Sequence, residues 1–221
     1  AQGHASGVRI LSGAGLDGAE VDALFADRIE DRVVSSYDAS LDRVEQKRER
    51  CLGAIVLKRG QEGGKSAAAE SIAVRMAAVE AKGLSLIEWG DAAIKLRKRA
   101  AFAGLSELSD AALLDNLPLW LEPVHGKGLR DIPDGRLAES LLNLLDWSQR
   151  QSLDKMAPPA FKSPAGSHFS IDYGAEAGPM VTLRVQELYG LSRHPTVGQP
   201  SVPLVLALTS PAHRPIQTTR D

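Results

Sequence analysis

The sequence predicts an α+β fold, with a β-rich part over residues 1–62, a helical middle over 63–156 and a small β-rich part over 157–221. Two changes of pattern carry that reading. Near Gly60 the apolar residues stop alternating and begin to recur at helical spacing. At Ala157-Pro158-Pro159 the helical pattern ends, and short extended pieces punctuated by Pro and Gly come after it. With 221 residues, 43% of them hydrophobic and 24% charged, the chain is long enough to bury a sizeable core.

In the first part, Gly7 to Leu11 reads as a short strand. Residues 17–32, DGAEVDALFADRIEDR, then read as an amphipathic helix, with Leu16, Ala19, Ala23 and Ala26, or Val21, Leu24, Phe25 and Ile29, at helical spacing. Asp17 is the expected N-cap, because its carboxylate can accept an orphan N–H of the first turn. Glu20 three residues on completes a capping box. Arg32 to Tyr37 is β-branched and leads to a turn at Asp38-Ala39-Ser40. Arg43 to Leu57 reads as one long returning strand of a hairpin, buried from Leu52 onward. Cys51 starts that apolar run and reads as a small buried residue.

Four helices are expected in the middle. The Ala-rich segment from Ser66 ends at Gly83, the usual left-handed residue after a helix. Asp91 opens the second, and Ser109 or Asp110 the third, leading into LLDNLPLWLEPV. Asp134 or Gly135 opens the fourth, RLAESLLNLLDWSQRQSLDKM, with Leu137, Leu141, Leu144, Leu145 and Trp147 as its apolar face. Beyond Ala157, strands are expected at 160–162, 168–173 and 202–208. Met180 to Tyr189 fits strand or helix. Val181, Arg184, Val185, Leu188 and Leu191 favour a helix after Pro179.

Several function classes find no support. The longest apolar runs are too short to cross a bilayer, and the first residues lack the pattern of a signal peptide. The chain also begins without Met, as an excised fragment would. A single cysteine permits no internal disulfide, which fits a reducing, cytoplasmic setting. Gly60-Gln61-Glu62-Gly63-Gly64-Lys65-Ser66 comes after a strand and precedes a helix, like a phosphate loop. It has one residue too few between its first Gly and the Gly-Lys pair, so the backbone N–H cradle is misplaced. The five histidines, His4, His125, His168, His194 and His213, do not pair at metal-ligand spacing, and no serine sits in a nucleophile elbow.

Basic residues are the remaining candidates. Lys95, Arg97, Lys98 and Arg99 crowd one helix, and Lys95, Lys98 and Arg99 share a face. That face either tracks phosphates or is a solvated face opposite Ala92, Leu96 and Ala100. A net charge of −2 restricts any nucleic-acid contact to such local patches.

The last part of the chain resembles the C-terminal region of HrpB-type ATP-dependent helicases, a branch of the DEAH/RHA family. The resemblance is carried by Ile171-Asp172-Tyr173, Gln186-Glu187-Leu188-Tyr189-Gly190, Val202-Pro203-Leu204 and the run from Ser210 to Thr218. Upstream, Gly83-Leu84-Ser85-Leu86 with Trp89, Leu96-Arg97-Lys98-Arg99, Trp120-Leu121-Glu122-Pro123 and Leu144-Leu145-Asp146-Trp147 extend it. Val8-Arg9-Ile10 and Leu52-Gly53 carry it to the start.

The resemblance implies an accessory region that comes after two motor domains. Residues 1–62 would be an OB-like accessory segment. ATP and Mg would be held upstream in the parent's motors, leaving no cofactor, catalytic residue or metal in this chain. Its partners would be those motor domains and nucleic acid, RNA more than DNA, and no membrane. Lys95, Arg97, Lys98, Arg99, Arg214 and Gln217 are the candidate nucleic-acid contacts, and Gln186 also matches the family pattern. The competing expectation is a docking module of the same helicase that does not touch nucleic acid.

Overall fold

A computed structural model describes residues 15–62, 68–124, 126, 128–210 and 215–220. Among the described residues, three strands come after one short helix, helices fill the middle and strands dominate the last part, so the α+β architecture is present. The chain divides into two compact units. One comprises residues 1–36 with 45–67, the other 37–44 with 68–221. The expected strand at residues 7–11 lies outside the described residues.

The first unit begins with α1, Gly18–Phe25. The expected capping box is present. Asp17 Oδ1 accepts from the Glu20 N–H at 2.8 Å, and Glu20 Oε2 accepts from the Asp17 N–H at 2.9 Å. The helix is shorter than its periodicity suggested. Residues from Ile29 instead enter β1, Ile29–Asp38, where Arg32 reaches Glu49 across the sheet. The expected long strand is two strands, β2 over Arg43–Leu52 and β3 over Ile55–Glu62, because Gly53 reverses the chain at φ +56°. The sheet order is β1-β2-β3, with β2 and β3 antiparallel.

Cys51 is buried as expected. Glu49 is also nearly buried, and lies 2.9 Å from Arg32 Nη2 and 3.0 Å from Arg59 Nε. The Arg32 hydrogen bond leads in holding its carboxyl below the usual range, with Arg59 adding to it against burial.

The second unit contains the hairpin tip, residues 37–44. Asp42 sits at φ +49°, an uncommon conformation for a residue with a side chain. Its carboxylate accepts from Tyr37 Oη at 2.5 Å and from the N–H groups of Leu129 at 2.7 Å and Arg130 at 3.0 Å. A Cβ on Gly128 would lie 2.0 Å from Asp42 Oδ2, so only glycine permits this approach. Burial pushes the Asp42 carboxyl up, but its hydrogen bonds from Tyr37, Arg130 and Leu129 outweigh that and hold it low. Burial, then the bond to Asp42, push the Tyr37 hydroxyl up to about 12.

Six helices come next among the described residues. They are α2 (Ala68–Lys82), α3 (Asp91–Phe102), α4 (Asp110–Asp115), α5 (Leu117–Leu121), α6 (Asp134–Leu142) and α7 (Trp147–Met156). Gly83 ends α2 at φ +84°, and its N–H bonds Val79 O at 2.7 Å. The expected fourth helix is two helices, α6 and α7. The chain turns at Asn143–Leu145, and Asp146 starts α7 with its own capping box to Gln149. Leu137, Leu141 and Leu145 are buried as the apolar face required, but Trp147 is 74% exposed because it opens the new helix. These leucines pack with Leu113, Leu117, Trp120 and Leu153 into one core, each buried leucine contributing about 1.5–3 kcal/mol.

The C-terminal strands are β4 (Ala160–Lys162), β5 (His168–Asp172), β6 (Met180–Arg184), β7 (Thr196–Val197), β8 (Val202–Pro203), β9 (Val205–Thr209) and β10 (Pro215–Thr219). Five form a sheet in the order β10-β9-β6-β5-β4, in which only β6 and β9 are parallel. The strands β7 and β8 pair separately.

The helix expected after Pro179 is therefore overturned. Val181 and Leu183 are buried while Thr182 and Arg184 are exposed, a two-residue period set by pairing to β5 on one side and β9 on the other. Only Val185–Leu188 turns, as a single 3-10 helix. Ile171, Val181, Leu183, Leu204 and Leu206 form a second core. Phe102 and Tyr173, with ring centroids 4.9 Å apart, pack against both cores.

Candidate nucleic-acid interface

The basic cluster lies on α3, and a neighbouring helix supplies the cap for its first turn. Gly90 has no side chain to cap with, so Asp134 at the start of α6 accepts from the N–H groups of Ala92 at 2.9 Å and Ala93 at 3.2 Å. The buried stripe of α3 is Ala93, Leu96 and Ala100. Ala92, expected on that stripe, is exposed.

The four basic side chains divide in two. Arg97 turns onto the protein. Its guanidinium lies 4.6 Å from the Trp89 ring centroid, its Nε donates to Leu108 O at 3.2 Å, and it pairs with Asp110. Trp89 in turn stacks on buried Trp120 at 5.8 Å and donates to Leu84 O at 3.3 Å. Arg99 also turns inward, donating from Nε to Ala157 O and from Nη2 to Asp154 Oδ1, both at 2.8 Å.

Lys95 is exposed and has no side-chain partner among the described residues. Lys98 is exposed too, with Nζ 3.8 Å from Asp172 Oδ1 at the end of β5. Its stem lies against Gly174, where an added Cβ would meet it at 2.2 Å. Lys95 and Lys98, three residues apart, thus share the open face of α3 while the two arginines fix the helix in place.

Gln217 is exposed on β10, opposite Leu208 of β9, and is not among the residues gathered around α3. Arg214 lies outside the described residues, as do Gly63 to Ser66 of the near-phosphate loop. Gln186 is exposed on the 3-10 turn after β6.

Sequence reasoning missed the acceptors that hold the arginines, Asp110, Asp154 and the Leu108 and Ala157 carbonyls. No local spacing signals them, since they lie 11 to 58 positions along the chain from the arginines they hold. Trp89 was visible as a motif residue, but its place under Arg97 required the fold.

Among the described residues, no group of three His, Cys, Asp or Glu is placed to hold a metal ion. A cleft of about 340 Å³ between α3, α6 and α7 has Leu96, Leu142 and Leu153 as apolar lining and Arg99, Glu139 and Arg150 beside them. Its lining residues include no Ser, Cys or His. No helix among the described residues is long and apolar enough to cross a membrane.

Residues 120–221 match the family model described as ATP-dependent helicase C-terminal. The ATP-dependent RNA helicase HrpB of Escherichia coli K12 is 40% identical over 151 residues, covering 63% of this chain and 18% of the relative. The chain therefore spans about a fifth of that protein's length. A crystal structure of the E. coli DExH-box NTPase HrpB superposes with a TM-score of 0.63 at 28% identity, over 93% of this chain and 26% of that one. A second, of the E. coli DEAH/RHA helicase HrpB, gives 0.63 at 30% identity over 88% and 26%. The family model over residues 120–221, the relative over 63% of the chain and the two structures over about nine-tenths of it thus agree that this chain is similar to a C-terminal region of HrpB-type ATP-dependent helicases.

Proposed function

We propose that this region serves its helicase as a non-motor contact for a single nucleic-acid strand, RNA more than DNA, and couples that contact to the motor domains. The observation that carries the reading is the division of labour on α3. Arg97 and Arg99 anchor the helix to the protein, and the ammonium groups of Lys95 and Lys98 are left on its exposed side. Two cations on a rigid helix can meet successive phosphates with little ordering cost. Gln217, exposed on β10, and Arg214 belong to the same proposal as secondary contacts. Nucleotide binding and hydrolysis, with ATP and Mg, are assigned to the motor domains of the parent, and the setting to the cytoplasm.

A docking role without nucleic-acid contact is the second reading. The net charge of −2 and the internal engagement of both arginines favour it. A salt titration of single-stranded RNA binding separates the two. Phosphate contacts give affinity that falls steeply with salt, and a Lys95→Glu/Lys98→Glu double variant should reduce the slope of log K against log salt by roughly 1–2. RNA binding that the double variant leaves unchanged would shift the assignment to docking.

A further inference from the structure

We propose that the solvent face of α7, headed by Trp147, is a second contact for single-stranded nucleic acid, with the indole as a base-stacking platform. The inference rests on the nucleic-acid reading above and adds a site that the basic cluster on α3 does not include.

Three observations lead to it. The first is the exposure of Trp147. Trp120 is fully buried and Trp89 lies between Trp120 and Arg97, yet Trp147 is 74% exposed. Of the three indoles it alone offers an open face on which a base can stack. The ring is also held on a well-defined base. Asp146 accepts from the Gln149 N–H and Gln149 Oε1 accepts from the Asp146 N–H, both at 2.8 Å, so the helix start that carries Trp147 is fixed.

The second observation is the polar row that continues from Trp147 along α7. Gln151 lies one turn on and Lys155 one turn further, so the three form a row about 12 Å long. Ser148, Gln151, Ser152 and Lys155 are all exposed, and with Asp154 they line an open depression of about 590 Å³. The Gln151 amide and the Lys155 ammonium have no side-chain partner among the described residues. The indole offers a face to a base, the amide a donor and an acceptor to a base edge or ribose, and the ammonium a charge to a phosphate.

Charge is the third. The acid in the depression, Asp154, lies 2.8 Å from Arg99 Nη2, so its charge is matched from the α3 side. Lys155 is left as the unmatched charge of the row, complementary to a phosphate. A protein partner fits the row less well. Protein hot spots place a Trp in a well-packed, desolvated patch. Here the exposed residues beyond Trp147 carry hydroxyl, amide and ammonium groups. Stacking also tolerates any base sequence, which suits a strand that moves past the site.

The test monitors the fluorescence of the whole chain during titration with a short oligouridylate, and with an abasic oligomer of the same backbone. The uridylate should quench wild-type emission, and the abasic oligomer should bind more weakly without quenching. Trp147→Ala should lower uridylate affinity roughly tenfold, and Trp147→Phe should stay within about threefold of wild type. Emission from Trp89 and Trp120 in both variants reports an intact fold. If Trp147→Ala binds like wild type while Lys95→Glu/Lys98→Glu has lost affinity, the α7 site is wrong and the proposed function stands. If the wild-type chain binds no oligonucleotide even at low salt, the proposed function falls and this inference with it.

Discussion

The Asp134 carboxylate occupies the space that a side chain on Gly90 would need. A Cβ on Gly90 would lie 2.2 Å from Asp134 Cγ and 2.5 Å from Asp134 Cβ. The start of α6 thereby serves as the cap of α3, and the helix carrying Lys95 and Lys98 depends on a residue far along the chain from Gly90. Asp134→Ala should cost about 0.5–2 kcal/mol by leaving the Ala92 and Ala93 N–H groups to water. Gly90→Ala should cost about 1–3 kcal/mol, because Asp134 Cβ is fixed by the α6 backbone and cannot swing aside. Urea unfolding of both variants measures this, and a Gly90→Ala midpoint equal to wild type would contradict the geometry.

Arg97 gives a prediction about chemistry that charge alone does not supply. Its planar group stacks on Trp89 and bonds Leu108 O and Asp110 together. Arg97→Ala should lose about 2 kcal/mol, and Arg97→Lys should recover less than half of it, because an ammonium can neither stack flat nor bridge both acceptors. Denaturant midpoints of the two variants decide it. Full rescue by Lys would reduce the contact to a simple ion pair.

Stability should fall at both ends of the pH scale through the hairpin tip. The Tyr37 hydroxyl titrates near 12 in the folded chain and near its ordinary value of 10 when unfolded. Its contribution is complete below 10 and is lost as pH rises from 10 through 12. Asp42 runs the other way. Its folded carboxyl is held low, so its contribution is present above its ordinary value of 3.8 and is lost as pH falls through the lower folded value. Tyr173, pushed up to about 12 by burial, adds to the alkaline loss. Unfolding midpoints across pH should show that Tyr37→Phe flattens the alkaline limb, and that Tyr173→Phe flattens it further.

The chain by itself should neither bind nor hydrolyse ATP, because Gly60 to Ser66 is one residue short of a phosphate loop. A nucleotide titration with Lys65→Ala as control checks this. Micromolar ATP affinity that disappears in the variant would mean that the short loop works.

Much of the fold was legible from single residues with local physical consequences. The Asp17–Glu20 capping box and the Gly83 helix end depend only on neighbours within a turn, and both stand where the sequence placed them. The strand at 160–162 and buried Cys51 arise equally from short patterns. The errors fall where two periods compete. Val181, Val185 and Leu188 satisfy a helical count, but the chain there has β5 and β9 to pair with, and the ladder decides. The fourth helix failed for a related reason. Asp146 was read as an interior residue because the leucines on either side kept the period, although its carboxylate starts a new helix.

The candidate site divides in the same way. The sequence by itself determined the α+β class, the resemblance to HrpB-type helicases, and which helix carries Lys95, Arg97, Lys98 and Arg99. These depend on composition, periodicity and motif, all of which act within a few residues. Only the tertiary structure decided that Arg97 and Arg99 face inward while Lys95 and Lys98 face out, and that Trp147 stands in solvent. The physical reason is that a cation's role depends on its acceptors. Asp110, Asp154 and the Leu108 and Ala157 carbonyls come to α3 through loops and helices that no local pattern encodes. In the same way, the turn at Asn143–Leu145 rotates Trp147 off the leucine face that its spacing alone would have given it.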